Sequence, residues 1–161
     1  MIKLFAVDVD GTLTDGGIFM DGAGNEFKCF NVQDGLGLRR LMDAGVEVAI
    51  ISGRYSASTE QRAKDLGIIR CVNGSTDKFV CLKGMAAELG IGPEGIAFVG
   101  DDLPDLECMK WAGFSIAVAD ARPEILGIAD WITPRLGGYG AVRDAAEYVL
   151  SLNKQEEEST R

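Results

Sequence analysis

The sequence predicts an α/β fold, a doubly wound parallel sheet with a β-hairpin flap and no large cap domain. Three observations predict it. Short apolar runs alternate with helix-like patterns, Gly stands where those patterns stop, and 161 residues suffice for one domain with its own core.

The elements follow in order. Residues 4–9 open the chain with Leu4, Phe5, Ala6, Val7 and Val9, an apolar run of strand length. Residues 17–31, "GIFMDGAGNEFKCFN", interrupt the alternation with two β-like pieces around a Gly-rich turn, so a flap is expected over residues 15–31. Further strands are expected at 46–51, 68–72, 96–99 and 115–118, with a weaker one at 131–132. Helices are expected at 35–44, 58–66, 78–89, 106–111, 123–128 and 141–152. Gly45, Gly67, Gly90 and Gly113 occupy helix C-terminal cap positions, and Pro123 suits a first helical turn. The segment "GIGPEG" matches a dinucleotide fingerprint only formally, because it follows a helix and precedes a strand. The polar, aperiodic residues 155–161 are expected to be disordered, leaving residues 1–154 as a single domain.

Composition excludes several functions. The apolar run in "MIKLFAVDVDG" is too short to span a membrane and leads into acids, so a cytoplasmic protein is expected. A net charge of −9 without a long basic run disfavours nucleic acid and anionic membranes as partners. Four scattered cysteines form no CxxC pair, which fits a reducing compartment. The chain has no histidine, so Ser-His-Asp, Cys-His and His-zinc chemistry are absent and acid-base work falls to carboxylates, Lys, Tyr or Cys.

The polar residues collect after strand ends. Asp8 and Asp10 follow the first strand, Ser52, Gly53 and Arg54 the second, Lys78 the third, and Asp101, Asp102 and Asp105 the fourth. In an open parallel sheet those ends share one edge. Right-handed crossovers carry strands one to three outward and bring strand four back beside strand one, placing the ligand-binding switch point between strands one and four. Clustered oxygen ligands suit Mg²⁺, and a dication offsets the repulsion between Asp8 and Asp101. If the Asp10 carbonyl turns to the metal, its carboxylate stays free for proton transfer. A turn at Gly11 directs the amides of Gly11 and Thr12 toward an anion, while Ser52 and Lys78 hold a phosphoryl group beside Asp8. Arg54 either reads a substrate carboxylate or pairs with Glu60 on its helix. Phe19, Met20, Phe27 and Phe30 suit packing of flaps between subunits.

With those residues in view, "DVDGTLTD", "ISGR", Lys78 and "GDDLPD" resemble the four ordered motifs of the haloacid dehalogenase superfamily of phosphatases. The flap, "FNVQDGLGLRRL", "AVADARPEI", "ADWIT" and "GGYGAVRD" resemble, within it, the phosphatases of 3-deoxy-D-manno-octulosonate (KDO) 8-phosphate. Those of nine-carbon acid phosphates are similar. Tyr139 replaces the Arg of a "GGRG" segment, and Arg122 precedes Pro123 where "HP" is common. The resemblance implies a Rossmann-like sheet and a sugar-acid phosphate substrate. It implies Asp8 as nucleophile through an aspartyl phosphate and Asp10 as acid and then base. It also implies Mg²⁺ held by Asp8, Asp10 and Asp101, with Asp102 and Asp105 orienting waters or Lys78. Gly11, Thr12, Gly53 and Arg54 fall at the substrate, and the assembly implied is a homotetramer. A phospho-accepting receiver domain is the alternative of a different class. Receivers carry the phosphorylated Asp after strand three, where this chain reads "RCVNGS".

Overall fold

The computed structural model describes residues 1–160. Strand β1 (Leu4–Val7) leads into a hairpin of β2 (Phe19–Met20) and β3 (Glu26–Phe27). There follow α1 (Val32–Asp43), β4 (Glu47–Ser52), α2 (Ala57–Leu66), β5 (Arg70–Asn73), α3 (Lys78–Leu89) and β6 (Ile96–Gly100). The chain continues through α4 (Leu106–Trp111), β7 (Phe114–Ala117), α5 (Pro123–Leu126), β8 (Trp131–Ile132) and α6 (Ala141–Ser159).

The main sheet has six strands in the order β5-β4-β1-β6-β7-β8, all neighbouring pairs parallel. β1 and β6 are therefore central, as the crossover rule requires. Their continuous apolar residues are wholly buried because helices cover both faces of the sheet. Register aligns the two acid loops: Val7 pairs with Val99, and the Asp8 amide donates to the Val99 carbonyl at 3.1 Å.

Helices α1 and α6 pack closely where Gly37 faces α6, since a Cβ there would lie 3.0 Å from Arg143 Cα. Leu38 and Leu41 of α1 and Val142, Ala145, Ala146 and Val149 of α6 all join the core. The small residues of α6 permit that approach, and their burial supplies the hydrophobic stabilisation.

Two expectations are corrected. Gly113 does not take a left-handed cap conformation. It is required by close approach: its amide donates to the Pro93 carbonyl at 2.7 Å, and a Cβ would lie 2.6 Å from Glu94 Cα. The end of the chain is also not disordered as far as it is described, because α6 runs on to Ser159. Gln, Glu and Lys favour helix without apolar periodicity, and Lys154 and Glu158 are an i,i+4 pair at 4.0 Å. Asn153 anchors this turn to the residues before β1, accepting from the Ile2 amide at 2.7 Å and donating to its carbonyl at 2.8 Å. Glu156 pairs with the Met1 amino group. Arg161 lies outside the described residues.

The flap forms as expected, with Phe19 opposite Phe27 and Met20 opposite Glu26. Phe19, Met20 and Phe27 are exposed. No helix among the described residues is long and apolar enough to cross a membrane.

Candidate active site

The site is built from strand ends and one helix start. Asp77 caps α3, accepting from the Val80 amide at 2.9 Å, and so begins the helix at Lys78. From there the buried Lys78 ammonium lies 2.5 Å from Asp8 Oδ1 and 2.7 Å from Asp105 Oδ1. The other oxygen of Asp105 accepts from the Asp101 amide at 3.0 Å, which fixes the loop after β6. Gly100 is needed here, since a Cβ would lie 2.6 Å from the Asp105 side chain.

Burial pushes the Asp8 carboxyl up to about 7, although Lys78 pulls it down, and the facing Asp101 carboxylate adds to the rise. Burial likewise raises Asp101 and Asp105 to about 6. For Lys78, burial works against the charged form, but Asp8 and Asp105 together raise its pKa. One ammonium thus compensates two carboxylates, while Asp101 adds negative charge to Asp8 without a cation of its own among the described residues.

Carboxylate oxygens of Asp8, Asp101 and Asp105 lie within 4.8 Å of one another. An all-oxygen donor set with excess negative charge fits Mg²⁺, which takes a few carboxylates and keeps waters. The Asp10 carboxylate is outside this cluster. Thr12 Oγ1 donates to Asp101 at 3.1 Å and lies 3.5 Å from Asp8 Oδ2, between the facing acids. Gly11 has φ +87°, and a Cβ there would fall 2.1 Å from Asp101 Oδ2.

Several expected contacts differ. The Gly11 amide donates to Thr14 Oγ1 at 3.2 Å and the Thr12 amide to the Val9 carbonyl at 3.2 Å, so neither is aimed at an anion. The loop closes on itself as a tight turn, and the Thr12 side chain serves the acids instead. Ser52 Oγ donates to the Arg54 carbonyl at 2.9 Å, stabilising its own turn. Arg54 does not pair with Glu60 of α2. Its guanidinium grips Glu26 of the flap, with Nε 3.0 Å from Oε1 and Nη2 2.9 Å from Oε2.

The acids border a cavity of about 490 Å³ lined by Asp8, Asp10, Gly53, Arg54, Lys78, Asp101, Asp102 and Asp105. Thr12 and Ser52 stand behind that lining. Ser75 and Thr76 also face the cavity and were not anticipated. Nor was Lys28, whose ammonium lies 2.6 Å from Asp10 Oδ1. The Glu26-Phe27-Lys28 alternation was the available signal, because it puts both charges on one side of a strand.

A central parallel sheet with acids at its switch point and a lysine from the start of α3 defines a class, the haloacid dehalogenase-like hydrolases, whose family model matches residues 66–140. The 3-deoxy-D-manno-octulosonate 8-phosphate phosphatase of Salmonella typhi is 44% identical over 149 residues, 92% of this chain and 79% of that protein. The crystal structure of such a phosphatase from Yersinia pestis has a TM-score of 0.93 at 43% identity, covering 97% of this chain and 84% of the other. That of the Moraxella catarrhalis phosphatase, in complex with magnesium ion, phosphate ion and a KDO molecule, has a TM-score of 0.91 at 45% identity, covering 99% and 92%. The chain belongs to the haloacid dehalogenase-like hydrolases and, within them, to the family of the KDO 8-phosphate phosphatases.

Proposed function

We propose that this protein is a Mg²⁺-dependent phosphatase that hydrolyses KDO 8-phosphate to KDO and inorganic phosphate. The observation that carries the proposal is the buried Asp8–Lys78–Asp105 arrangement facing Asp101, in a cavity that also admits the Asp10 carboxylate. Phosphoryl transfer needs positioning and charge stabilisation above all, and these groups supply both.

In this reading an Asp8 oxygen attacks phosphorus while the bond from phosphorus to the sugar oxygen breaks. Asp10 gives its proton to the departing oxygen. Asp10, now a carboxylate, takes a proton from water, whose oxygen attacks phosphorus and releases Asp8 and phosphate. Lys78 holds Asp8 in line and balances charge on the phosphoryl oxygens; Ser52 joins it by rotating its hydroxyl out of the turn. Asp8 and Asp101, with the Asp10 carbonyl, would hold Mg²⁺, which neutralises phosphoryl charge when bound. Asp105 positions Lys78 and the loop, and Asp102 the metal's waters. Thr12 orients Asp8 and Asp101, with Gly11 giving the space for them. Gly53 lets the phosphoryl group approach, and Arg54 receives the substrate carboxylate in exchange for Glu26.

We also take residues 1–154 as one catalytic domain with its flap at residues 15–31, acting in the cytoplasm as a homotetramer. Exposed Phe19, Met20 and Phe27 on the flap support subunit packing there. A kcat/KM comparison of KDO 8-phosphate with nine-carbon 2-keto acid phosphates tests the substrate assignment. Preference for a nine-carbon substrate overturns it.

A further inference from the structure

Lys28 lies beside the site but belongs to the flap. Its side chain is entirely buried, with 0% exposure, whereas the adjacent Phe27 is 56% exposed. Strand alternation explains the contrast: Glu26 and Lys28 turn inward toward the site, and Phe27 turns outward. A buried ammonium is costly unless paired, and the Asp10 carboxylate at 2.6 Å is its near partner, with Glu26 farther away at 3.9 Å.

We infer that Lys28 is a positioning residue for the reaction, its ammonium fixing Asp10 Oδ1 so that Oδ2 is the oxygen that passes the proton. This rests on the phosphatase reading above. A carboxylate on a loop has two equivalent oxygens and free rotation about its side-chain bonds, whereas acid catalysis needs one oxygen near the leaving group. The ion pair removes that freedom. It also makes the flap part of the proton-transfer machinery, since the fixed geometry exists only while β3 lies against the loop after β1.

The role appears in the dependence on leaving group. A sugar alcohol leaves poorly without a proton, whereas p-nitrophenolate leaves readily. Lys28→Met is therefore expected to lower kcat for KDO 8-phosphate about tenfold or more, and kcat for p-nitrophenyl phosphate less than about threefold. KM for both substrates and Mg²⁺ affinity by calorimetry should each stay within about threefold. Lys28→Arg, which keeps the charge, should restore part of the lost kcat. Equal loss with both substrates would mean that Lys28 only anchors the flap. A rise in KM alone would make it a substrate contact; unchanged kinetics would remove any role. Each of these overturns the inference. Should Lys28→Met fail to fold, Lys28→Gln is read by the same ratio. A wild-type protein that hydrolyses neither phosphate overturns the phosphatase reading itself, a result separable from any behaviour of the variants.

Discussion

Asp34 of α1 accepts a hydrogen bond from the Arg143 backbone amide at 2.9 Å and so caps the N-terminus of α6 from a neighbouring helix. Gly140, the residue preceding α6, offers no side chain to do this. The cap is complete on one side only, because Asp34 Oδ2 is buried without a hydrogen-bond partner among the described residues. Burial pushes this carboxyl up to about 6.

A pH dependence of stability follows. An unfolded Asp titrates near ~3.9, so between about 4 and 6 the folded state holds a proton that the unfolded state has lost. Asp34 therefore costs stability as pH rises through that window, by about 2–3 kcal/mol once fully ionised. Asp34→Asn keeps an oxygen for the Arg143 amide and removes the charge. Urea unfolding of wild type and variant at pH 4, 5, 6 and 7 should show wild type losing ground to the variant across the series. A constant difference would sink the assignment.

Asp8→Asn is expected to abolish turnover with either substrate while the fold persists, because the amide cannot form the acyl phosphate. Neutralising a carboxyl held at about 7 by burial also removes a destabilising charge, so the melting temperature should hold or rise in the absence of metal. Near-normal kcat in this variant would exclude covalent catalysis through Asp8.

Chelation by EDTA should remove activity reversibly, and Mg²⁺ should raise the melting temperature of the wild type by ligand linkage. Asp101→Asn is expected to lose most of that thermal response. If Mg²⁺ stabilises Asp101→Asn as much as wild type, the cation is held elsewhere.

Gly137→Ala tests the contact between the start of the "GGYG" segment and the loop after β1. A Cβ at Gly137 would lie 1.9 Å from the Gly11 carbonyl oxygen, and the Gly138 amide donates to the Thr12 carbonyl at 3.1 Å. The segment must move away, with an expected cost of roughly 2 kcal/mol in stability and a fall in kcat. Unchanged stability and kcat would show that the segment can shift freely.

If the flaps pack between subunits in the proposed homotetramer, Phe27→Asp should dissociate it without unfolding the protomer, since the side chain is exposed in the single chain. Sedimentation velocity reads the outcome. An unaltered oligomer would take the flap out of the interface.

Much of this was legible in the chain. Strand order followed from apolar runs and right-handed crossovers, and the meeting of Asp8, Lys78, Asp101 and Asp105 followed from strand ends sharing an edge. Lys28 was not legible as a partner of Asp10, because the pairing depends on how far the hairpin folds back over the sheet. The local turns that occupy Ser52 and the amides of Gly11 and Thr12 escaped for a similar reason: motif spacing does not say which hydrogen bonds a loop keeps for itself. The last turns of α6 lack apolar periodicity, and their anchors, Ile2 and Met1, lie at the other end of the chain.

The Gly137–Gly138 contact also bears on synthesis. The loop that carries Asp8 leaves the ribosome early, yet the backbone that braces it is made only near residue 138. A nascent polypeptide shorter than this holds the Asp8 loop without its brace, so the packing of that loop is completed late in translation.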